Sequence, residues 1–271
     1  MITRTFRRLA PGILIVSYAL LPGPPADGEV ARAAVVVVSA QGQSTPTPSQ
    51  TVIEFYKQLR QKRFREAFAL SIYKPAFEGL SAEDLAELQP DFERMAAGVP
   101  ENIQISGEQI SGDTATVFIK VDSDEGAAKG ADESLMLMRR GTGWIIGDKT
   151  SEAGVKRGGK DYFLNERIRT HHSEVEAMLQ RISLAEIAYS AQHGGVFADL
   201  PTLIAAGLVP KDIESTESTG YKFHITLAAD KKGYTAGAEP ERYGRTGRLS
   251  FYLDNKIGIK SGDKSGKPLV P

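Results

Sequence analysis

A long segment with helical periodicity, followed by short segments with strand periodicity, constrains the fold of this chain more than any other feature. Val175, Leu179 and Ile182 recur at the spacing that places apolar side chains on one face of a helix. This helix is predicted at about 161–193, and the glycine pair beginning at Gly194 ends it. The pattern predicts one long helix packed on a small antiparallel meander. The segments predicted to follow are a short helix at 200–206 and strands at 221–228, 234–239, 249–254 and 257–260.

The first half of the chain changes from helical to strand periodicity near residue 100. The polar Pro/Thr/Ser segment 41–48 is predicted to be a linker, and Ser49 after it is the candidate helix N-cap. Val52, Phe55 and Leu59 then form an apolar stripe at helical spacing. Helices followed by an antiparallel sheet, and then a second set of the same kind, predict an α+β fold with two domains. The elements predicted after the first helix are helices at 64–71 and 81–95, with a break or kink at Pro90, and strands at 103–110, 114–121, 133–139 and 143–148.

Three short segments of the first half resemble one known superfamily. They are Phe55-Tyr56, the GDTATV sequence at 112–117 and the GWII sequence at 143–146. Region 49–151 is similar to the nuclear-transport-factor-2-like (NTF2-like), cystatin-like or SnoaL-like superfamily. The resemblance implies a curved sheet that wraps a long helix into a cone, often with a pocket at its mouth. Core packing is the alternative role for the candidate cavity-lining residues, which are Tyr56, Phe68, Tyr73, Phe77, Phe92 and Trp144.

Four segments of the second half resemble another family in the same order. They are 174–210, GYKF at 220–223, GYTA at 233–236 and RLSFYLD at 248–254. Region 174–260 is similar to the globular heads of type IV pilins and type II secretion pseudopilins, and a pilin-like domain is predicted at 161–261. The membrane-spanning first half of a pilin helix is absent, and the NTF2-like region stands in its place. The resemblance implies a protein partner in a secretion or pilus-like system.

The first forty residues have the composition of an export signal. Arginines at positions 4, 7 and 8 precede an apolar run at 13–21, and a second apolar run at 33–40 ends in a small-residue cleavage pattern. Both runs are shorter than the roughly 20 residues that span a bilayer, so a bacterial signal peptide at 1–40 is predicted. A disordered tail and a later true start are the alternatives. We therefore expect a periplasmic or secreted protein with no stable membrane span in its mature chain.

Composition excludes several further classes of protein. The chain of 271 residues contains no cysteine, so it has neither disulfides nor a lipid-anchored cysteine. Its net charge of −1 disfavours nucleic-acid binding, which requires a basic face. The hydrophobic fraction of 41% is sufficient for packed cores, so an ordered protein is expected.

Two polar, glycine-rich segments are predicted to lack regular structure. Segment 152–160 is expected to be a flexible connector between the domains. The stretch from Gly154 to Lys160 has the spacing of a phosphate-binding loop, but Asp161 stands where serine or threonine would bind magnesium, and no apolar strand precedes it. Segment 262–271 is expected to be a flexible tail.

Neither a metal site nor a catalytic motif is predicted. His171 and His172 precede Glu174 and Glu176, but a metal would need a rigidly held third ligand, so a solvated helix face is the favoured interpretation. The family resemblance to ketosteroid-isomerase-like proteins suggests a pocket acid with a tyrosine partner. The residues available by type for that chemistry are Asp84, Asp91, Glu93, Tyr56 and Tyr73.

The sequence therefore favours an exported, non-enzymatic binding or scaffold module that needs no cofactor. The first alternative is a small-ligand-binding or ketosteroid-isomerase-like catalytic domain in the NTF2-like half. The second is a pilin-like half that has only a structural role. A buried acid beside Tyr56 or Tyr73 would favour the catalytic alternative, whereas exposed apolar surface on the pilin-like half would favour partner binding.

Overall fold

The structure is a computed structural model that describes residues 45–121, 131–254 and 258–270. The chain divides into two compact units, one extending to Tyr162 (unit 1) and the other beginning at Phe163 (unit 2). Each unit combines helices with one antiparallel sheet, which confirms the predicted α+β class. The predicted signal peptide at 1–40 lies outside the described residues.

The first helix of unit 1 begins at a capping box whose N-cap, Thr47, lies two residues before the predicted N-cap. Thr47 accepts a hydrogen bond from the Gln50 N–H, and the Gln50 side chain accepts one from the Thr47 N–H at 2.9 Å. Pro48 occupies the first turn, where its missing N–H costs nothing. Ser49 is therefore inside the helix and is not its cap. The helices of unit 1 are α1 (Pro48–Arg60), α2 (Phe64–Ala69), α3 (Lys74–Glu78), α4 (Ala82–Ala97) and α5 (Lys149–Gly158).

Helix α4 continues through Pro90, where a break or kink was predicted. A proline inside a helix removes one backbone hydrogen bond and crowds the preceding turn. Leu88 and Phe92 are 1% and 4% exposed on either side of it. Because both flanking side chains are packed in the core, tertiary contacts keep the helix continuous.

Helix α5 occupies most of the segment predicted to be a flexible connector, so that prediction was wrong. The Asp148 side chain caps the helix by accepting hydrogen bonds from the Thr150 and Ser151 N–H groups at 2.8 and 2.9 Å. Glu152 pairs with Lys156 one turn later at 3.1 Å, and Val155 is buried. A cap, an ion pair and one buried side chain thus outweigh the helix-weakening glycines. A short 3-10 turn, Gly159–Asp161, follows the helix.

The sheet of unit 1 is an antiparallel meander in the order β1-β2-β3-β4. Val117 faces Leu135 and Ala115 faces Leu137 across neighbouring strands, and all four are buried. A register shift between Ile105 and Gly107 marks a bulge in the first strand, a feature that bends a sheet. The strands are β1 (Ile103–Ser111), β2 (Thr114–Val121), β3 (Ala131–Arg140) and β4 (Gly143–Ile146).

Unit 2 contains the predicted long helix packed on a second meander. Val175, Leu179 and Ile182 are each 0% exposed and share one core cluster with the strand residues Tyr221 and Phe251. The long helix on a small meander is therefore confirmed. The elements are α6 (Tyr162–Gln192), α7 (Leu200–Ala205), α8 (Thr216–Thr219), β5 (Tyr221–Leu227), β6 (Tyr234–Pro240), β7 (Leu249–Asp254) and β8 (Gly258–Asp263), with sheet order β5-β6-β7-β8.

The chain after residue 261 is bonded to the rest of unit 2, which corrects the prediction of a free tail. β8 continues to Asp263, whose carboxylate accepts a hydrogen bond from the Tyr243 hydroxyl at 2.8 Å. Further along, the Lys267 carbonyl accepts one from the Ser250 hydroxyl at 2.7 Å. These contacts join distant parts of the sequence, so composition alone could not indicate them.

Candidate functional site

Four of the six predicted cavity-lining aromatics pack on one another in unit 1. The Phe68 ring lies 5.0 Å from Phe77, 5.5 Å from Phe92 and 6.2 Å from Tyr73, measured between ring centroids. Phe68 is 0% exposed, and its three neighbours are 6% exposed or less. We call these four residues the aromatic cluster. Ring contacts at these distances are those of a packed core.

The other two predicted residues make different contacts. The Trp144 ring lies 4.4 Å from the Arg139 guanidinium in a cation–π arrangement. The Tyr56 ring packs edge-on against Phe55, with 5.4 Å between ring centroids. Both Trp144 and Tyr56 are 7% exposed.

The Tyr56 hydroxyl interacts electrostatically with Glu133, an acid that was not among the predicted site residues. Glu133 pairs with Ile119 across the sheet and precedes Leu135 by two residues, so it lies on the buried face of β3. Burial raises the pKa of the Glu133 carboxyl. Burial first, and then the negative charge of Glu133, raise the pKa of the Tyr56 hydroxyl. Tyr56 and Glu133 are thus two interacting groups of unit 1 whose pKa values are both raised, a property found at many acid–base sites.

The acids predicted by type for that chemistry have other roles. Asp84 accepts a hydrogen bond from the Ser81 hydroxyl at 2.7 Å in the N-terminal cap of α4. Asp91 pairs with Arg94 at 3.4 Å on the same helix. Glu93 lies 3.4 Å from Lys62, an ion pair whose two side chains are 41% and 57% exposed, respectively. Exposed ion pairs of this kind contribute little to stability. Asp84 belongs to a helix cap, and Asp91 and Glu93 form ion pairs, so residue type alone did not identify an acid–base site.

The histidine pair of α6 binds a loop, contrary to the predicted solvated face. His171, 8% exposed, donates from Nδ1 to the Thr246 carbonyl at 2.7 Å. His172 accepts at Nε2 from the Arg248 and Leu249 N–H groups at 3.2 and 3.3 Å. Burial and the neighbouring positive charges lower the pKa of His172, consistent with its acceptor role. No cluster of three metal-ligating side chains occurs among the described residues.

The loop between β6 and β7 approaches the core closely at one glycine. A Cβ atom placed on Gly247 would lie 1.9 Å from the Tyr221 hydroxyl. That hydroxyl donates to the Leu249 carbonyl at 2.8 Å, and Tyr221 is 0% exposed. Glycine at position 247 therefore allows a buried tyrosine to hold the loop.

Unit 2 contains a buried carboxyl group on α6. Glu186 is 0% exposed, and its Oε2 accepts a hydrogen bond from the Ala198 N–H at 3.0 Å. Its Oε1 has no hydrogen-bond partner among the described residues. Burial raises the pKa of Glu186 to about 6, and the nearby Asp199 charge adds to this, whereas the Ala198 hydrogen bond opposes it. The side chain ties the long helix to the segment before α7.

The face of α6 opposite its core is an uncharged stripe. Leu184 and Ile187 are 68% and 60% exposed and lie one turn apart. No charged residue interrupts the row of exposed positions to which they belong. We call this row the exposed stripe; it consists of Ser173, Ala177, Gln180, Leu184, Ile187 and Ala191.

Comparison with known proteins gave one distant structural similarity. No family model matches the chain, and no curated protein sequence matches it. The chain is similar to a Campylobacter jejuni protein, described as an NTF2-like transpeptidase, whose crystal structure was determined at 2.00 Å resolution. The two share 15% identity with a TM-score of 0.26, over 37% of this chain and 97% of that chain. A TM-score this low carries no argument about function. Among the described residues, no helix is both long and apolar enough to cross a membrane.

Proposed function

We propose that this chain is an exported, non-enzymatic binding module, and that the exposed stripe of α6 is the surface that binds a partner protein. The observation that carries the proposal is the exposure of Leu184 and Ile187, 68% and 60%, in a unit that has a separate packed core. From Ser173 to Ala191 the stripe extends roughly 27 Å at the helical rise per residue. An uncharged face of this length on a surface helix is typical of a protein contact.

The sequence supports a class of partner and a compartment for this module. Region 174–260 resembles type IV pilin and type II secretion pseudopilin heads, which favours a component of a secretion or pilus-like system. The export signal predicted at 1–40 favours the periplasm or the extracellular medium. The aromatic cluster gives unit 1 a packed interior, which also favours a scaffold over an enzyme.

A pull-down from native envelope and culture fluid tests partner binding. The tagged chain is compared with the double variant Leu184→Lys/Ile187→Lys and with the control Thr226→Lys/Ala229→Lys, which adds the same charge at exposed positions of unit 2. We expect wild type and control to recover the same secretion or pilus-like proteins. The stripe variant should recover at least about tenfold less partner. Burying two lysines in the contact would weaken the binding free energy by about 1.4 kcal/mol or more. Equal recovery by all three chains would instead favour a purely structural role for unit 2.

A ligand site in unit 1 is the second candidate function, because the half-buried Glu133 carboxyl and the buried Tyr56 hydroxyl interact electrostatically. A carboxyl with a raised pKa holds its proton more tightly and can serve as an acid, and the tyrosine can donate a hydrogen bond to a carbonyl oxygen. We expect an apolar ketone to raise the melting temperature of the wild-type chain and of Tyr189→Phe. The increase should disappear in Tyr56→Phe and Glu133→Gln. A wild-type melting temperature that no such ketone raises would count against this function.

A further inference from the structure

The exposed stripe has the spacing of a coiled-coil seam. Its members are separated by four, three, four, three and four residues in turn. This heptad spacing keeps side chains facing a second helix along its whole length. The core stripe on the opposite side of α6, which includes Leu179 and Ile182, is already covered by the sheet of unit 2. A second helix can therefore contact the exposed stripe along its whole length.

Charged residues beside the stripe indicate the direction of that helix. In heptad positions, Glu176 is at g and Arg181 is at the following e, five residues later. A parallel, in-register pair of α6 helices places Glu176 of each copy against Arg181 of the other. Neither side chain has an ion-pair partner among the described residues. One heptad earlier, Arg169 and Glu174 carry the opposite signs in the same two positions, although Arg169 also pairs with Glu166 in its own helix.

Gln180 provides an independent indication of register. It is the amide in an otherwise small or aliphatic stretch of the stripe. In a parallel, in-register pair its side chain meets Gln180 of the second copy, so that the two amides can bond to each other. Antiparallel pairing of Gln180 with Leu184 would bring the two Arg181 side chains together, which like charges oppose.

We propose that the exposed stripe binds the same stripe of a second copy of this chain, with the two α6 helices parallel and in register. This inference rests on the proposed function, because it names the partner of the same surface. The contact is short, and Leu184 and Ile187 are the large apolar side chains of the stripe, so the dimer is weak and reversible.

Cysteine cross-linking tests the arrangement directly, since the chain has no cysteine of its own. Ala177→Cys and Ala191→Cys are prepared separately, with Ala229→Cys as an exposed control outside the stripe. Parallel, in-register helices bring both stripe cysteines next to their own copies. In any antiparallel pair at least one of the two would be roughly 20 Å from its copy along the helix axis. We expect both stripe variants to form covalent dimers on mild oxidation and the control to remain monomeric.

Sedimentation of the full chain tests affinity and charge pairing. Wild type should associate as its concentration rises, and Leu184→Lys/Ile187→Lys should remain monomeric. Glu176→Arg and Arg181→Glu alone should each raise the dimer Kd about tenfold, and the combined exchange should restore it, because two symmetric pairs are affected. Restoration by the exchange distinguishes a direct pair from damage to the fold.

The outcomes separate this inference from the proposed function. Self-pairing would be overturned by a wild-type chain that stays monomeric up to about 1 mM. Such a chain would have a dimerisation free energy weaker than about −4 kcal/mol. If partner recovery in the pull-down still depended on Leu184 and Ile187, the proposed function would stand and the stripe would bind a different protein. Cross-linking at one stripe position alone would overturn the parallel, in-register arrangement. Both proposals would be overturned if the wild-type chain stayed monomeric and the stripe variant recovered as much partner protein as wild type.

Discussion

Leu179→Pro is expected to lower the free energy of unfolding of unit 2 by at least about 3 kcal/mol beyond the cost of the lost leucine. Leu179 is 0% exposed near the middle of α6, which is continuous from Tyr162 to Gln192. Proline there removes a backbone hydrogen bond and places its ring against the preceding turn. Because the residues of α6 on both sides pack on the same sheet, a kink would separate one half of the helix from its core contacts.

Leu179→Ala is the matched control for this substitution. It removes the same buried side chain at a cost of roughly 2–5 kcal/mol and leaves the helix backbone intact. Chemical denaturation followed by far-ultraviolet circular dichroism gives both values. The single tryptophan of the chain, Trp144, lies in unit 1, so its fluorescence reports that unit separately. A proline variant only as unstable as the alanine variant would show that α6 does not act as one continuous helix.

Periodicity predicted the elements of both units because it records which side chains are buried. Val175, Leu179 and Ile182 lie on the face that contacts the sheet, and each is fully buried. In unit 1, Val117 and Leu135 alternate with exposed or half-buried neighbours and face each other across two strands. Patterns of this kind are local, so one sequence is enough to reveal them.

The elements that the sequence argument missed depend on contacts it could not see. Helix α5 was predicted to be a flexible connector because Gly154, Gly158 and Gly159 weaken helices. Its Asp148 cap and its Glu152–Lys156 pair were visible in the sequence and pointed the other way. The roles of the two histidines depend on a loop more than 70 residues further along the chain, which no local pattern could have indicated.

Acids on buried faces were missed for a different reason. Glu133 stands two residues before Leu135 in an alternating strand, and Glu186 stands four residues after Ile182 on a helix. Both spacings place a carboxyl on a core face, and this signal was present in the sequence. Residue type and polar surroundings pointed to Asp84, Asp91 and Glu93 instead, whereas position in the pattern points to half-buried Glu133 and buried Glu186.

Glu186→Gln should stabilise unit 2 relative to wild type, and this stabilisation should be larger at pH 8 than at pH 4. Burial raises the pKa of this carboxyl from its ordinary value of 4.5 to about 6 in the folded chain. Between these two values the folded state binds more protons than the unfolded state, so stability falls as pH rises. The loss of stability begins near the pKa of Glu186 in the unfolded chain and is complete above its pKa in the folded chain. A shift of this size corresponds to about 2 kcal/mol.

Glutamine keeps an oxygen that can accept the Ala198 hydrogen bond but carries no charge at any pH, so the variant lacks this loss. Its advantage over wild type should therefore increase by about 2 kcal/mol between pH 4 and pH 8. Denaturant unfolding of both chains across this range measures the difference, and titrations common to the two cancel. Glu214→Gln, at an exposed position of the same unit, controls for the loss of one negative charge. An advantage that does not change with pH would show that Glu186 ionises as easily in the folded chain as in the unfolded one.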